Sequence, residues 1–360
     1  MSERVVGVDV ARFVALAGMM AIHVLPAVED GEVTVSQSLA GGRASALFAV
    51  LAGVSLTLAT GRRAPDPRGW ERVAGAIAVR AVLIALLGLG LGMLDTRIAV
   101  ILTYYGLLFV VGIPFLFART RTLLYGAAAW LVISPVVSQL LRPELPSPSG
   151  ESPSFDSLVQ PVDLICELLL TGYYPVFVWL TYLLVGLGVG RLDLSSWRVI
   201  AALGAVGAGL VVAAYVVSDT LAAFAPGQLP LDDVVSFSGT TPTDSWWWLV
   251  ARTAHSGTPF DLAQTIGSAL LVLCGCLVLG RLVPRVARVV FGAGAMTLTL
   301  YSVHVFARQD GLWDAETMDV YVGQVLVALA IGAVFALLRW RGPLEWVVGL
   351  ASRWGRIRTP

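Results

Sequence analysis

The residues of this sequence best suited to chemistry are Asp9, Arg12 and His23, which all lie in its first apolar segment. At about 100° and 1.5 Å per residue, a helix places them on one face, with His23 roughly 16 Å beyond Arg12. Asp9 and Arg12 are one turn apart, so an ion pair would reduce the insertion cost of about 3 kcal/mol for an unpaired charge. His23 is too distant to join that pair, which favours a functional role for its imidazole.

Two arginines are candidates for binding anionic groups. Arg43 lies at the outer end of the second apolar segment, near the level of His23, where it could bind an anionic or oxyanionic group. Arg80 lies about two turns into the third segment, where it could contact phosphates of a ligand that enters from the cytosol. For each arginine the alternative is a side chain that extends to the membrane interface. The two interpretations stay open for both.

A polar run interrupts the ninth apolar segment and contains Thr297, Thr299, Tyr301, Ser302 and His304. Thr and Ser can hydrogen-bond backbone carbonyls of their own helix, so His304 is the residue of this run that best indicates a functional site. Whether its side chain lines that site stays open. The remaining histidine, His255, follows Trp246–Trp248. These rings could stack on a sugar, although an interfacial aromatic belt is favoured.

The elements that must position these residues are membrane helices. Hydrophobic residues make up 57% of the 360 residues and charged residues 13%, with a mean hydropathy of +0.81. One soluble core cannot bury so much apolar surface, which predicts an all-α, polytopic membrane bundle of about ten transmembrane helices. The apolar windows are residues 6–27, 40–60, 72–94, 97–117, 121–141, 172–190, 197–218, 260–280, 285–306 and 319–339.

The second window has a face of small residues that predicts close helix packing. Ser45, Ala49, Gly53 and Thr57 recur at four-residue spacing, so another helix can approach its backbone closely. We expect that neighbour to be the first helix.

Charges in the connections predict the orientation of the bundle. Arginines collect in alternate connections and acidic residues in the others, so the positive-inside rule predicts that both termini are cytoplasmic. All three histidines then reach the extracytoplasmic half. The arginines are Arg62, Arg63, Arg68, Arg72, Arg119, Arg121, Arg191, Arg198, Arg281, Arg285, Arg288, Arg339, Arg341, Arg353, Arg356 and Arg358, and the acidic residues are Glu29, Asp30, Glu32, Glu144, Glu151, Asp156, Asp219, Asp232, Asp233 and Asp244.

The chain divides into a transmembrane domain over residues 1–340 and a cytoplasmic amphipathic tail over residues 341–360. The outer segments 142–171 and 219–259 are long enough to shape an extracytoplasmic pocket, and a helix from Pro161 is expected at the outer interface. The N-terminal segment lacks a clear cleavage site, so we interpret it as a retained first helix rather than a signal peptide.

Several function classes are disfavoured by the composition. All basic side chains are arginine and form no concentrated basic patch, so nucleic acid is not an expected partner. Cys166, Cys274 and Cys276 are odd in number and lack zinc-ligand spacing, so we expect neither a disulfide framework nor a metal site. The sequence also lacks a glycine-rich phosphate loop, a nucleophile elbow and an HExxH motif.

The segment VDVARFVALAGMMAIH resembles the first helix of the membrane acyltransferase superfamily. Its spacing of Arg12, ten residues and His23 matches the acyltransferase-3 pattern. Other stretches are similar to YeiB-like proteins and to bacterial relatives of the heparan-α-glucosaminide N-acetyltransferases, and together they cover most of the chain in order. These stretches are GGRASALFAVLAGVS, ILTYYGLLF, GYYPVFVWLTYLLVGLGVGR, GAMTLTLYSVH and RGPLEW.

The resemblance implies that cytosolic acyl-CoA, usually acetyl-CoA, threads its pantetheine arm into the bundle and donates its acyl group to an outer acceptor. His23 would be the general base, assisted by His304 or His255. Arg12, Arg80 and Arg43 are the predicted donor-binding residues, and Asp9, Ser45, Tyr105 and Tyr301 are predicted to support the site. In the lysosomal enzymes an asparagine stands where His23 stands here and an essential histidine lies in the first luminal loop, so the heparan substrate does not carry over.

The leading hypothesis is therefore a transmembrane acyltransferase in a bacterial-type cytoplasmic membrane. Its acceptor would be a glycan, a glycolipid or a small molecule, with amide and ester formation both open. The expected partners are acyl-CoA, the acceptor and membrane lipid, and a homodimer is compatible with the sequence. The alternatives are a transporter or lipid flippase that uses the same Asp, Arg and His groups, and a catalytically silent scaffold.

Overall fold

The computed structural model describes residues 5–61, 69–224, 227, 229, 234–313 and 315–357, and the side chains of residues up to 353. Six charged residues of the predicted orientation pattern lie outside the described residues: Arg62, Arg63, Arg68, Asp232, Asp233 and Arg358. The side chain of Arg356 lies outside them as well.

The described chain is an all-α bundle with one short hairpin. Its helices are α1 (Val6–Val24), α2 (Val35–Ala40), α3 (Arg43–Thr60), α4 (Trp70–Leu91), α5 (Leu102–Gly112), α6 (Thr120–Leu141), α7 (Pro161–Cys166), α8 (Val176–Gly190), α9 (Trp197–Ala222), α10 (Pro259–Leu282), α11 (Pro284–Val290), α12 (Thr297–Ala307), α13 (Met318–Leu338) and α14 (Pro343–Ile357). The antiparallel strands β1 (Val28–Glu29) and β2 (Glu32–Val33) follow α1.

Seven of the described helices are long and apolar enough to cross a membrane. An eighth span forms if Pro161–Thr171 and Val176–Gly190, which meet at a bend of 51°, are counted together. The structure therefore supports an all-α membrane protein. The count of ten stays a prediction, because Leu102–Phe117 and Thr297–Ala307 are shorter than a full span. The cytoplasmic position of the termini likewise stays a prediction.

The window 285–306 is not one continuous helix. It divides into α11, a 3₁₀ turn at Gly292–Ala295, and α12. The turn passes so close to α1 that a Cβ on Gly294 would lie 1.7 Å from the carbonyl oxygen of Asp9. A Cβ on Gly332 of α13 would likewise lie 2.1 Å from the backbone nitrogen of Ala293. These two glycines let α1, the turn and α13 pack together, which brings distant parts of the chain to α1.

Helix α1 packs against α3, α10, α13 and the 3₁₀ turn. In the most apolar stretch of α1, 61% of the residues are buried. In the corresponding stretch of α13 only 17% of the residues are buried, so α13 presents most of its surface outward. Most residues of α1 are therefore buried against other parts of the protein, as a site within the membrane requires.

The small-residue face of α3 packs against α8 rather than mainly against α1, which corrects the expected neighbour. A Cβ on Gly53 would lie 2.5 Å from the carbonyl oxygen of Leu183, and Thr57 donates a hydrogen bond to the carbonyl of Leu187 at 3.2 Å. Small residues in α8 complete the contact, since a Cβ on Gly186 would lie 2.0 Å from the carbonyl oxygen of Val50. Sequence spacing predicted the close approach but not its partner.

Candidate active site

Two histidines from distant parts of the chain meet at the C-terminal end of α1. The Nδ1 of His23 lies 3.1 Å from the Nε2 of His304, and the two rings are nearly parallel, with centroids 5.3 Å apart and planes inclined by 13°. His304 lies on α12 and is only 3% exposed, whereas His23 is partly exposed. The missing partner of His23 is therefore another imidazole, contributed from 281 residues further along the chain.

The opposite end of α1 carries the predicted ion pair. The Nη1 of Arg12 lies 3.1 Å from Oδ1 of Asp9, and Nη2 of Arg12 also donates to the hydroxyl of Ser55 on α3. The guanidinium is thus held between two helices, with its charge balanced by a carboxylate one turn away. The predicted pairing of Asp9 and Arg12 is confirmed.

A cavity of about 270 Å³ opens beside Arg12. Arg80 of α4 and Glu345 of α14 line it together with Arg12 and Ser55, so its polar end combines two arginines and a carboxylate. Much of the remaining wall is apolar or aromatic, and includes Met19, Phe48, Leu51, Ile84, Tyr105, Phe109, Leu298 and Tyr301.

Arg80 is the least satisfied cation of this cavity. Its Nε atom is buried and has no hydrogen-bond partner among the described residues. Glu345 does not supply one, because its carboxylate accepts from the backbone nitrogens of Leu298 and Thr299 at 2.7 and 3.2 Å and from the Thr299 hydroxyl at 2.6 Å. Glu345 therefore caps the N-terminus of α12, as the helix dipole favours. A guanidinium with an unused buried donor is suited to an anionic or carbonyl ligand.

The lining of the cavity reaches to one helical turn from the histidine pair, and neither histidine is part of that lining. Met19 and Tyr301 line it, and each lies one helical turn before a histidine: Met19 precedes His23 on α1, and Tyr301 precedes His304 on α12. One turn corresponds to about 5.4 Å along a helix axis. A molecule held at Arg12 and Arg80 can thus extend along α1 toward the two imidazoles.

Two predicted supporting tyrosines lie in the cavity wall. The hydroxyl of Tyr105 donates to the carbonyl oxygen of Ser45 at 3.4 Å, and the hydroxyl of Tyr301 accepts from the backbone nitrogen of Ile101 at 3.4 Å. Ser45 takes part through its backbone, while its own hydroxyl donates to the carbonyl of Gly42 at 3.0 Å. These contacts tie α3, α5 and α12 together around the cavity.

Arg43 is the one predicted donor-binding arginine that does not line the cavity with Arg12 and Arg80. It lies at the other end of α3, where Nη2 donates to the hydroxyl of Tyr215 at 3.0 Å and to Oε1 of Gln264 at 3.4 Å. Its Nη1 donates to the carbonyl of Ser38. Its contacts separate it from the other two arginines, and its predicted level near His23 stays a prediction.

His255 is buried apart from the histidine pair, in the segment between α9 and α10. Its ring packs edge-on against Tyr173 and Tyr174, at centroid distances of 5.0 and 5.7 Å. Burial lowers the pKa of His255 to about 4, well below the usual value of about 6.5. It is therefore neutral in the folded protein at physiological pH.

This burial predicts a pH-dependent stability. Because the unfolded chain binds a proton at His255 near pH 6.5 and the folded chain only near pH 4, stability falls as the pH drops through this range. Between pH 7 and pH 5 the apparent unfolding temperature in nanodiscs should fall by a few degrees, and by less in His255→Gln. Equal pH slopes for the two proteins, measured by differential scanning fluorimetry, would contradict this.

Three residues that sequence reasoning missed take part in the site: Ser55, Glu345 and Gln324. Gln324 of α13 accepts with its amide oxygen 2.7 Å from Nδ1 of His304. Glu345 and Ser55 carried a signal, because they belong to the stretches RGPLEW and GGRASALFAVLAGVS that carry the family resemblance. Among the described residues, no group of three or more His, Cys, Asp or Glu side chains is arranged to hold a metal ion.

The fold and this site define a class: an integral membrane protein of helices, with a histidine pair inside the bundle and an arginine-lined cavity leading toward it. The particular family follows from comparison with known proteins. A family model described as heparan-alpha-glucosaminide N-acetyltransferase, catalytic, matches residues 4–219. The match covers more than half of the chain, which therefore belongs to this family of membrane acyltransferases, and the resemblance inferred from the sequence is confirmed. A search of curated proteins found no match.

The matched region contains α1 to α8 and most of α9, with Arg12, His23, Arg43, Arg80 and Tyr105 among its residues. His304, Gln324 and Glu345 lie beyond it. The C-terminal helices thus supply the second half of the histidine pair from outside the matched region.

Proposed function

We propose that this protein transfers an acetyl group from cytosolic acetyl-CoA to an acceptor on the extracytoplasmic side, with His23 as general base. The observation that carries the proposal is the alignment of the arginine-lined cavity with the His23–His304 pair, one helical turn beyond its Met19 and Tyr301 wall. The family match supports acetyl transfer, and the description of its model supports a glycan amine as acceptor.

The donor is proposed to enter at the end of the cavity formed by Arg12, Arg80 and Glu345. With both termini in the cytosol, as the arginine distribution predicts, this end faces the cytosolic pool of acyl-CoA. A volume of about 270 Å³ suits an elongated pantetheine arm rather than a whole nucleotide. The unpaired Nε of Arg80 is suited to an amide carbonyl of that arm or to a phosphate oxygen.

The reaction would proceed by direct transfer. The acceptor nitrogen or oxygen attacks the thioester carbonyl, the new C–N or C–O bond forms, and His23 takes the acceptor proton. The C–S bond then breaks, and CoA leaves as a thiol after receiving the proton from His23. Arg43 is proposed to bind an anionic group of the acceptor, since the sequence predicts that it lies near the level of His23. Lipid would surround the bundle in a bacterial-type cytoplasmic membrane.

Purified full-length protein in nanodiscs tests this function. We expect it to bind acetyl-CoA, to release CoA thiol only when an acceptor is present, and to increase the acceptor mass by one acetyl group. The assay would screen amino sugars, oligosaccharides and lipid-linked sugars by mass spectrometry. Absence of acetyl-CoA binding would overturn the proposal, and acceptor movement across the bilayer without thiol release would favour a transporter.

A further inference from the structure

Gln324 is the one strongly polar side chain on the buried stripe of α13. Among the described residues of α13, the buried positions are Gln324, Ala328 and Gly332, spaced four apart. Gln324 is 5% exposed, so its amide has been removed from both lipid and water. Burying an amide costs several kcal/mol in apolar surroundings unless a hydrogen bond compensates it. A purely packing role would be met by an apolar side chain of the same length.

Among the described residues, the Gln324 side chain makes one hydrogen bond, which is directed at the histidine pair. Its Oε1 lies 2.7 Å from Nδ1 of His304, whereas its Nε2 is buried without a partner among the described residues. The contact to His304 is thus the only bond among them that offsets the burial of this amide. Gln324 and His304 are both nearly inaccessible to solvent, at 5% and 3% exposure.

This bond determines where the protons of both imidazoles lie. An amide oxygen only accepts, so Nδ1 of His304 must carry the proton, and its Nε2 in the neutral ring is then an acceptor. The Nδ1 of His23, 3.1 Å away, must therefore donate to it. A neutral His23 protonated at Nδ1 has its lone pair at Nε2. We call the two hydrogen bonds that join Gln324, His304 and His23 the relay. The relay leaves one basic nitrogen, Nε2 of His23, at its end.

The opposite proton arrangement would abolish the base. If Nδ1 of His304 were the acceptor, its Nε2–H would donate to Nδ1 of His23, and His23 would carry its own proton at Nε2. Few other charges act on this choice. The titratable or charged groups that influence His23 are His304, Arg308 and His255. His304 is influenced by the charge of Arg308 and by its hydrogen bond to the neutral amide of Gln324. The guanidinium of Arg308 donates to the carbonyls of Trp313 and Ala315.

We propose that Gln324 is a positioning residue, which fixes the tautomers of His304 and His23 so that Nε2 of His23 accepts the acceptor proton. The inference rests on the proposed acetyl transfer for its kinetic readout. The tautomers themselves can be measured whether or not the protein transfers acetyl groups, so failure of the relay and failure of the proposed function are distinguishable.

Two substitutions in the full chain test the relay. Gln324→Met keeps the length of the side chain but removes the acceptor, so both tautomers of the pair become populated and kcat falls about tenfold, with the KM for acetyl-CoA unchanged. Gln324→Glu provides a carboxylate, which in its ionised form only accepts, so the tautomers are kept. Its negative charge stabilises the imidazolium forms, and the acidic limb of the kcat pH profile moves to higher pH.

The second readout is the ¹⁵N spectrum of histidine-labelled protein in nanodiscs. The unmodified protein and Gln324→Glu should show His304 protonated at Nδ1, whereas Gln324→Met should show signals of both tautomers. Gln139→Leu is the matched control, because Gln139 is also a buried glutamine but donates to the carbonyls of Pro242 and Ser245 far along the chain from the pair. Unchanged tautomers and an unchanged kcat in Gln324→Met would overturn the inference.

Discussion

Replacing His23 by glutamine should reduce kcat for acetyl transfer by about 10²- to 10⁴-fold, the range that general base catalysis contributes. A glutamine amide can still donate to Nε2 of His304, which in the structure lies 3.1 Å from Nδ1 of His23. The hydrogen bond to α12 is therefore replaceable. What glutamine lacks is a nitrogen lone pair that can accept a proton, so the loss should fall on the chemical step.

The measurement is the rate of CoA thiol release and acetylated product formation in nanodiscs. Acetyl-CoA binding should stay within about threefold of the unmodified protein, because the arginine end of the cavity lies roughly 16 Å from His23 along α1. The matched control is His255→Gln, since the His255 ring packs against Tyr173 and Tyr174 rather than against either member of the pair. Equal activity of His23→Gln and the unmodified protein would remove His23 from the mechanism.

The first helix shows how far sequence alone leads. Its periodicity placed Asp9, Arg12 and His23 on one face, and the pairing of Asp9 with Arg12 followed from a separation of one turn. Both inferences depend only on helix geometry, which every residue of α1 shares. The family resemblance also began in this segment, and the match over residues 4–219 confirms it.

Contacts between helices were harder to predict. The bond between His23 and His304 joins residues 281 positions apart, and it requires the glycines of the Gly292–Ala295 turn to bring the start of α12 against α1. No local pattern encodes that approach. The polar run in the ninth window pointed to His304 as a candidate, but its partner could be identified only once the packing was known.

Gln324 and the α3 interface illustrate the same limit. One glutamine in a long apolar helix carries no periodicity, and its meaning comes from the 2.7 Å contact with His304. The small face of α3 predicted a close neighbour correctly, yet α8 has small residues of its own and forms the tighter contact. Residue types indicate that two surfaces can meet, whereas the choice among several suitable partners depends on the whole bundle.

The second large effect is expected at the donor end of the cavity. Arg80→Gln should raise the KM for acetyl-CoA by about 10- to 100-fold, because a hydrogen bond to a charged group contributes about 1.5–3 kcal/mol and each 1.4 kcal/mol corresponds to a factor of ten. The kcat should change by less than about threefold, since Arg80 lies on the cavity wall and not beside the histidine pair. Arg80→Lys keeps the charge but not the planar donors, so its KM should be intermediate.

Arg80 is a better test of donor binding than Arg12, because its loss leaves no carboxylate unpaired. Arg12 is bonded to Asp9, and breaking a buried ion pair would destabilise the protein as well as the site. Glu345 shares the cavity with Arg80 but is already satisfied by Leu298 and Thr299 of α12. The matched control is Arg72→Gln, which removes the same charge from an exposed position two turns earlier on α4. If both variants raise the KM equally, the effect is general electrostatic attraction of the donor, and a KM change in Arg80→Gln alone assigns the contact to the cavity.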